Sequence, residues 1–415
     1  MSNPEAPSDR DLADRHRPVL RFDRREPYLP VRIGYTVFRE PGQSPSSKFA
    51  VEPRGGVTIE YAIYYDWDIG HLYDLEHVWV HLDAHGAVAV VEASAHGRRE
   101  PMMRKAGLPL MEGVRPILFA EPGKHAHWAD PEAMRTEAGE RLRACCDGLA
   151  GHEAVHRGNL FHEAGAYSAL PHQDRLARLK MQGDRFEPSF EFSTPDTDAA
   201  LVPWDDLAQF VPQRVASVMA ALESDIAHLK AIFLDCGDTL VDEGTEIKRP
   251  GTDVVLTAEL LEGASATLAA LRAAGHKLIL VADGPRETFS NILGQHGLWD
   301  QFDAHVISED VGELKPSAKM FDTALLQAGL TRADVRHVVM VGNNLERDIA
   351  GANGVGIASV FFSWSDRRSR VPAAPLQTPD YVITALAQLP GLLESIELAM
   401  PFRAPAYIDQ AQQEA

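Results

Sequence analysis

The 415 residues of the chain are too many for one small domain and favour about two or three. Apolar residues make up 45% of the sequence and charged residues 24%, which is typical of a folded globular protein and argues against a disordered one. The formal charge of −20 argues against nucleic acid as a partner, because phosphate backbones are bound by clustered lysine and arginine.

The cysteines and the amino terminus bear on the compartment. Cys145, Cys146 and Cys236 form neither a disulfide framework nor a spaced zinc pattern. Residues 1–18 are polar and charged, unlike a secretory signal, and no run of about 18 apolar residues predicts a membrane span. We therefore expect a cytoplasmic protein without a membrane span.

The amino-terminal half is predicted to be rich in strands. Residues 1–30, rich in proline and charge, predict a flexible tail. Short runs of β-branched and aromatic residues predict strands at 31–38, 57–65, 78–82 and 87–93. Apolar residues alternate through the second of these, which indicates a strand with one buried face. A β-rich domain is expected over 31–204, with a helix at 131–151 and an irregular stretch at 159–204.

The carboxyl-terminal half alternates between strands and helices. A helical linker is predicted over 205–229, with Pro212 expected to kink or divide it. Strands are predicted at 231–235, 277–282, 304–307, 338–341 and 358–362. Helix starts are expected at Pro285, Ser317, Thr331 and Asn344. The alternation predicts an α/β domain over 230–398, a parallel sheet with helices on both faces, followed by a tail at 399–415.

Polar residues follow the ends of several of these strands. They are Asp235 after the first, Asp283 and Gly284 after the second, Lys315 before a helix start, and Asn343 and Asp348 after a later strand. Parallel strands bring their carboxyl ends to one edge of a sheet, where open α/β sheets bind ligands. The helix that begins after Gly284 also offers free backbone N–H groups to an anion.

In this order and spacing, these elements resemble the four motifs of the haloacid dehalogenase (HAD) superfamily over residues 231–395. The resemblance implies a Rossmann-like fold and hydrolysis of a phosphate ester through an aspartyl-phosphate on Asp235. It implies a Mg²⁺ ion held by Asp235, the carbonyl of Gly237, Asn343 and Asp348. It also places Lys315 beside the nucleophile. The phosphate of the substrate would be bound at Ala282, Asp283, Gly284 and Lys315.

Three positions depart from the pattern of the superfamily. Gly237 stands where its phosphatases carry a second aspartate as general acid and base, and Asp238 would substitute only if the turn re-aims it. Ala282 lacks the hydroxyl of the second motif, and Asn343 replaces a carboxylate. Three alternatives therefore stay open: a slow phosphatase, a different leaving group, or a HAD-like domain without chemistry in a binding or scaffold protein.

The spacing of the motifs bears on the substrate. Only a short segment separates the first two motifs, and 282–315 leaves no room for another domain, so the site is expected to lack a cap. The resemblance implies that uncapped members act on larger phosphorylated substrates. Haloacid dehalogenases proper also lack the second aspartate, but they have a helical cap that this chain does not encode, which argues against dehalogenation.

The histidine-rich segment 70–81 is a second candidate site. His71, Asp74 and Glu76, with His125 and His127, are predicted to hold a second divalent metal at a strand entrance. The segment resembles the Gly-His-x-His-Asp-Trp-Glu heptapeptide of necrosis- and ethylene-inducing-peptide-like proteins, and the resemblance implies a β-sandwich and a divalent ion. It departs at Tyr73 and Leu75. Two alternatives are that these histidines are structural, or that metal-dependent chemistry takes place at the cluster.

Overall fold

The computed structural model describes residues 7–54, 56–105, 107–196 and 199–400. The chain divides into two compact units, Met1–Ser224 and Asp225–Ala415. Within the described ranges, no helix combines the length and the apolar character needed to cross a membrane.

The first unit is dominated by β-strands. Its elements, in chain order, are α1 (Asp9–His16), β1 (Val19–Asp23), β2 (Arg32–Phe38), β3 (Gly42–Gln43), β4 (Ala50–Val51), β5 (Val57–Trp67), β6 (His71–Leu82), β7 (Val88–Ala95), β8 (Arg98–Pro101), β9 (Met111–Glu112), β10 (Arg115–Ala120), β11 (His127–Trp128), α2 (Pro131–Cys146), β12 (Ala154–Val155), α3 (Leu160–Glu163), α4 (Pro171–Gly183), β13 (Phe192–Ser193), β14 (Ala200–Pro203) and α5 (Trp204–Asp225).

Two sheets of this unit share an apolar core. The larger has the order β14-β2-β5-β6-β7-β8, with β12 beside β6, and the smaller has the order β11-β10-β1-β13, with β9 beside β10. Phe22 of β1 and Leu118 of β10 belong to the same buried cluster as Ile59 of β5 and Val80 of β6. The alternating apolar residues of β5 face this core, but the residues between them, such as Thr58, Glu60 and Tyr64, are buried as well, so the prediction of a strand with one buried face is wrong. The predicted strand-rich amino-terminal domain is confirmed.

The tail predicted over residues 1–30 is corrected by the structure. Ser8 caps α1 by accepting a hydrogen bond from the Asp11 N–H at 3.1 Å. Strand β1 is buried and pairs in parallel with β10, Val19 opposite Ile117. Because β1 has only five residues and its partner lies far along the chain, no local pattern in the sequence indicates it. Residues 1–6 and 401–415, which belong to the two predicted tails, lie outside the described residues.

The second unit alternates strands and helices. Its elements are β15 (Ala231–Leu234), β16 (Ile247–Lys248), β17 (Val255–Thr257), α6 (Ala264–Ala273), β18 (Leu278–Ala282), α7 (Arg286–Gly294), β19 (Ala304–Ile307), α8 (Ser308–Val311), α9 (Ala318–Gln327), β20 (Val338–Gly342), α10 (Ala350–Val355), β21 (Ala358–Phe362), β22 (Tyr381–Ile383) and α11 (Leu389–Leu398). A π-helical turn, Leu345–Ile349, joins β20 to α10.

A parallel sheet with the order β19-β18-β15-β20-β21-β22 forms the centre of this unit. Ile232 and Leu234 of β15 face a core formed with α6, α7 and α11, whereas Ala231 and Phe233 face a core formed with α9 and α10. Helices on both faces explain why the strands are apolar throughout. The predicted α/β fold is confirmed, and β15 lies where the strand order reverses, the position at which such sheets bind ligands.

Candidate active site

A cleft of about 540 Å³ opens where β15, β18 and β20 end. Seven of the residues predicted from the motifs line it: Asp235, Gly237, Asp283, Gly284, Lys315, Asn343 and Asp348. Ala282 is fully buried as the last residue of β18, and the side chain of Asp238 is also fully buried. Neither of these two residues lines the cleft.

Lys315 is the buried cation at the centre of the cleft. Its Nζ donates to Asp235 Oδ1 at 2.7 Å and to the Val281 carbonyl at 2.8 Å, and it lies 2.6 Å from Asp348 Oδ1. Burial alone would lower the pKa of Lys315, but the carboxylates of Asp235 and Asp348 raise it overall. The lysine is therefore charged and holds the nucleophile candidate in place. Thr239 Oγ1 donates to the other Asp235 oxygen at 3.2 Å.

The π-helical turn after β20 brings Asp348 back to the sheet edge. Asp348 Oδ2 accepts a hydrogen bond from the Asn344 N–H at 3.0 Å, whereas Oδ1 accepts no well-aligned hydrogen bond from the described residues. Burial and the nearby Asp235 raise the pKa of Asp348, against the opposing effect of Lys315. A β-carbon at Gly342 would overlap this carboxylate, so the close approach requires glycine.

The donors at this edge fit a magnesium ion. They are the carboxylates of Asp235 and Asp348, the carbonyl of Gly237 and the amide oxygen of Asn343, all on residues that line the cleft. An all-oxygen set is the type that Mg²⁺ prefers. Two carboxylates share one lysine here, and a buried oxygen of Asp348 lacks a well-aligned donor, so further positive charge would be stabilised.

Asp283 and Gly284, the residues after β18 predicted to contact phosphate, form hydrogen bonds with neighbouring loops. Asp283 Oδ1 accepts from the Lys315 N–H at 3.0 Å, and the Gly284 N–H donates to Ser308 Oγ at 2.9 Å. Asp283 therefore positions the loop that carries the lysine. Motif spacing did not point to two arginines that also line the cleft, Arg347 and Arg368, whose guanidinium groups could face an anionic substrate.

Asp238 faces away from the cleft. It adopts a left-handed conformation with φ of +49°, and its Oδ1 accepts from the Glu243 N–H at 3.0 Å and from Arg367. Burial raises the pKa of Asp238, although the Glu243 N–H and Arg367 oppose the shift. The turn therefore uses Asp238 to hold the backbone of residue 243.

Glu243 lies in the cleft beside Asp235 and Gly237, a position that sequence reasoning missed. Arg368 Nη2 donates to both carboxylate oxygens, at 2.8 and 2.7 Å. Burial raises the pKa of Glu243, and Asp238 and Asp235 add to the shift while Arg368 opposes it. No motif of the superfamily includes residue 243. The sequence hinted at a carboxylate from elsewhere in the chain only through the missing aspartate at Gly237.

The segment between β15 and α6, where a cap would be inserted, is short. Between β15 and α6 the chain forms one 3₁₀ turn, Glu243–Thr245, and the two-stranded hairpin of β16 and β17. The Arg249 guanidinium at this hairpin pairs with Glu287 of α7, with Nη1 3.0 Å from the carboxylate. In the described residues this segment forms no separate domain above the sheet edge.

In the first unit, three of the residues predicted to bind the second metal, His71, Asp74 and Glu76, line one cavity, whereas His125 and His127 are buried and do not line it. His125 is buried between Asp74, 2.9 Å from Nδ1, and Glu26, 3.4 Å from Nε2. Burial lowers the pKa of His125, but the two carboxylates raise it to about 10. His127 is buried with no hydrogen-bond partner among the described residues, and burial lowers its pKa to about 3. Glu76 accepts from Ser94 Oγ.

His71 instead lies near two other residues, Glu153 and His156. One ligand atom from each of the three lies within 4.8 Å of the others. His71 Nδ1 is 2.9 Å from the Tyr73 carbonyl, which leaves Nε2 near two carboxylates, Asp68 at 3.4 Å and Glu153 at 4.0 Å. A histidine fixed through one ring nitrogen presents the other to a metal. All three residues line a cavity of about 850 Å³ that also contains Asp74 and Glu76.

Comparisons with known proteins agree with the architecture of the second unit. Residues 237–356 match the family model described as haloacid dehalogenase-like hydrolase. Pyrimidine 5'-nucleotidase YjjG of Escherichia coli is 37% identical over 133 residues, 32% of this chain and 56% of that protein. N-acylneuraminate-9-phosphatase of Mus musculus is 31% identical over 121 residues, 29% of this chain and 47% of that protein.

The chain spans about half the length of these curated relatives. A solved structure, the HAD phosphatase from Thermococcus onnurineus, is 22% identical with a TM-score of 0.33, and the match covers 40% of this chain and 98% of that one. The family match includes β18, β19 and β20 of the parallel sheet. Residues 237–356 of the second unit are therefore similar to haloacid dehalogenase-like hydrolases.

Proposed function

We propose that the second unit is a magnesium-dependent phosphatase that acts through an aspartyl-phosphate on Asp235. The observation that carries the proposal is the buried ion-pair cluster in which Lys315 Nζ contacts both Asp235 and Asp348 at the carboxyl edge of the sheet. Curated relatives named as a nucleotidase and a phosphatase support a phosphate ester as the class of substrate.

The residues present support a two-step displacement. Lys315 and Thr239 each hold one oxygen of Asp235, so the carboxylate is oriented before it attacks phosphorus. The bond to the leaving oxygen breaks, and water then hydrolyses the aspartyl-phosphate to release inorganic phosphate. Mg²⁺ bound by Asp235, the Gly237 carbonyl, Asn343 and Asp348 would neutralise charge on the transferring group.

We further propose that the substrate is large enough to extend beyond the cleft. The short hairpin of β16 and β17 supports this proposal, since a site without a domain over it does not need to enclose the whole substrate. Arg347 and Arg368 line the cleft and would attract an anionic part of that substrate. The free thiols of Cys146 and Cys236, both buried, support the proposal of a cytoplasmic location.

The test of the proposed function is turnover of aryl and alkyl phosphates with Mg²⁺. Asp235→Asn is expected to abolish activity because the amide cannot form the phosphoenzyme. Asp253→Asn, an acidic residue that lines the same cleft, is the matched control and is expected to remain active. Removing Mg²⁺ with a chelator should abolish turnover, and adding it back should restore it.

Two outcomes would contradict the proposal. Equal activity of Asp235→Asn and the wild type would remove Asp235 from the mechanism. No turnover across a broad panel of phosphate esters would favour the alternative of a binding or scaffold protein. That alternative rests on the departures from the superfamily pattern at Gly237, Ala282 and Asn343.

We also propose a divalent-metal site in the first unit, formed by His71, Glu153 and His156. The three converging ligand atoms favour this set over the one that includes His125 and His127. Metal analysis after dialysis against Zn²⁺ or Mn²⁺ should find one ion fewer in His156→Ala than in the wild type. The exposed neighbour His152 provides the control variant, His152→Ala. Equal metal content in His156→Ala and the wild type would show the cluster to be structural.

A further inference from the structure

Gly237 leaves a space in the active site, and a carboxylate from elsewhere in the chain fills it. A β-carbon placed on Gly237 would overlap Oε1 of Glu243 and would lie 3.1 Å from its Cδ and 3.2 Å from its Cγ. A side chain at residue 237 would therefore begin where the Glu243 carboxylate now ends. The position at which the superfamily resemblance implies an aspartate is occupied by a glutamate from six residues further along the chain.

We propose that Glu243 is the general acid and base of this enzyme and performs the role of the missing aspartate. The inference rests on the proposed phosphatase function. Glu243 lines the same cleft as Asp235, Lys315 and Asp348, whereas the side chain of Asp238 is fully buried outside it. Asp238, the carboxylate nearest to Asp235 in the sequence, is therefore the one that cannot reach a substrate in the cleft.

Two contacts hold Glu243 in this position. Asp238 accepts a hydrogen bond from the Glu243 N–H at 3.0 Å and so fixes the backbone of the turn. Arg368 Nη2 donates to both carboxylate oxygens of Glu243, at 2.8 and 2.7 Å, and so fixes the Glu243 side chain. Arg367, the neighbour of Arg368, pairs with Asp238. A glutamate needs such support because its longer side chain has more freedom to lose than an aspartate.

The chemistry balances with this one carboxyl group. In the first step an Asp235 oxygen bonds to phosphorus, the bond from phosphorus to the leaving oxygen breaks, and Glu243 gives its proton to that oxygen. In the second step Glu243 takes a proton from water, the water oxygen bonds to phosphorus, and the bond to Asp235 breaks. Glu243 ends protonated and Asp235 ends as a free carboxylate, so one ester and one water become one alcohol and one phosphate.

The test compares two leaving groups in Glu243→Gln, which keeps the size of the side chain. For an alkyl phosphate, whose alkoxide needs a proton, kcat/KM is expected to fall about 100-fold. For 2,4-dinitrophenyl phosphate, whose leaving group is a stable anion, kcat/KM is expected to stay unchanged. Its kcat should fall, with a burst of one dinitrophenolate per enzyme, because hydrolysis of the phosphoenzyme lacks its base.

Glu246→Gln is the matched control, since Glu246 lines the same cleft but pairs with Lys248. A second pair of variants first removes the carboxylate at residue 243 and then introduces one at residue 237. Glu243→Ala should lose activity on the alkyl phosphate, and Gly237→Asp with Glu243→Ala should recover part of it, because truncation of Glu243 makes room at 237. Gly237→Asp alone should not gain activity, because its side chain would overlap Glu243.

The outcomes separate this inference from the proposed function. If Asp235→Asn is inactive but Glu243→Gln matches the wild type on both substrates, the role of Glu243 is wrong and the phosphatase stands. An equal loss of kcat/KM on both substrates, without rescue by Gly237→Asp, would make Glu243 a structural residue. An active Asp235→Asn, or a wild type that hydrolyses neither substrate, would overturn both proposals.

Discussion

At the scale of single residues, the site depends on two close approaches that only glycine permits. Gly237 admits the Glu243 carboxylate, and Gly342 admits the Asp348 carboxylate against the end of β20. In both cases the atom closest to the added β-carbon belongs to a carboxylate at the site and not to a flexible apolar side chain. The glycines therefore act by leaving space beside the acidic groups.

Gly342→Ala is predicted to damage the site. The new β-carbon would lie 2.6 Å from the β-carbon of Asp348, so the turn after β20 must shift, which costs about 1–3 kcal/mol of unfolding free energy. Phosphatase activity and denaturant unfolding would both be measured. Gly354→Ala in α10, where an added β-carbon meets no atom within 4 Å, is the control and should be neutral or stabilising. Equal stability and activity of Gly342→Ala and the wild type would contradict this account.

The sequence located part of the site and missed part of it for physical reasons. Asp235 and Asp348 come together because each follows a strand end of one parallel sheet, whereas Lys315 lies between α8 and α9 and was predicted from the spacing of the motifs. Glu243 and Arg368 could not be found in that way. Their position depends on how two irregular segments fold back over the edge, which periodicity does not encode. The chemical roles of all these residues stay predictions.

At the scale of elements, the short apolar strands of the parallel sheet were predicted best, whereas β6, the twelve-residue strand His71–Leu82, was predicted only over 78–82. The strand starts and ends of β15, β18, β19, β20 and β21 agree with the apolar runs to within a residue. Strand β22 was missed because it has only three residues, and α4 was missed because Pro171 was taken for a turn although it occupies the first turn of a helix. Pro212 lies inside α5 without dividing it.

A cross-strand charge cluster gives the first unit a pH dependence. The Glu92 carboxylate on β7 lies 2.8 Å from His81 Nε2 on β6 and pairs with Arg99 on β8. Burial would raise the pKa of Glu92, but His81 and Arg99 lower it to about 2. Because the folded-state pKa is below the unfolded one, the resulting stability is fully present above about pH 4.5 and is lost as the pH falls through about 2.

Glu92→Gln is therefore predicted to lower the unfolding free energy by about 2 kcal/mol at pH 7, where the charged partners lose their counter-charge. The difference from the wild type should shrink as the pH falls from 4.5 towards 3. Denaturant unfolding at several pH values measures it, and Glu100→Gln, on the more exposed neighbouring strand β8, is the control. A difference that stays constant with pH would contradict the assignment of the shift to this cluster.

At the scale of the whole molecule, all the groups proposed for phosphatase chemistry belong to one unit. Asp235, Glu243, Lys315, Asp348 and Arg368 lie within Asp225–Ala415, which has its own sheet and cores on both faces. A unit with its own core is expected to fold independently. The histidine and carboxylate cavity belongs entirely to the other unit.

The fragment 225–415 is predicted to fold alone and to hydrolyse small phosphate esters with the kcat/KM of the full chain. Circular dichroism and thermal unfolding would establish its folding, and the same assay with Mg²⁺ would establish its activity. The fragment 1–224 should show no phosphatase activity. A folded but inactive 225–415 would mean that the first unit supplies part of the catalytic machinery.

The contact between Gly237 and Glu243 also constrains how related sequences can vary. Since the two positions compete for one volume, a side chain at 237 and a glutamate at 243 exclude each other. Sequences with aspartate at 237 should carry a small or outward-facing residue at 243, and they have no need of arginine at 368. Positions 237, 243 and 368 should therefore change together, although none of the three is adjacent to another in the chain.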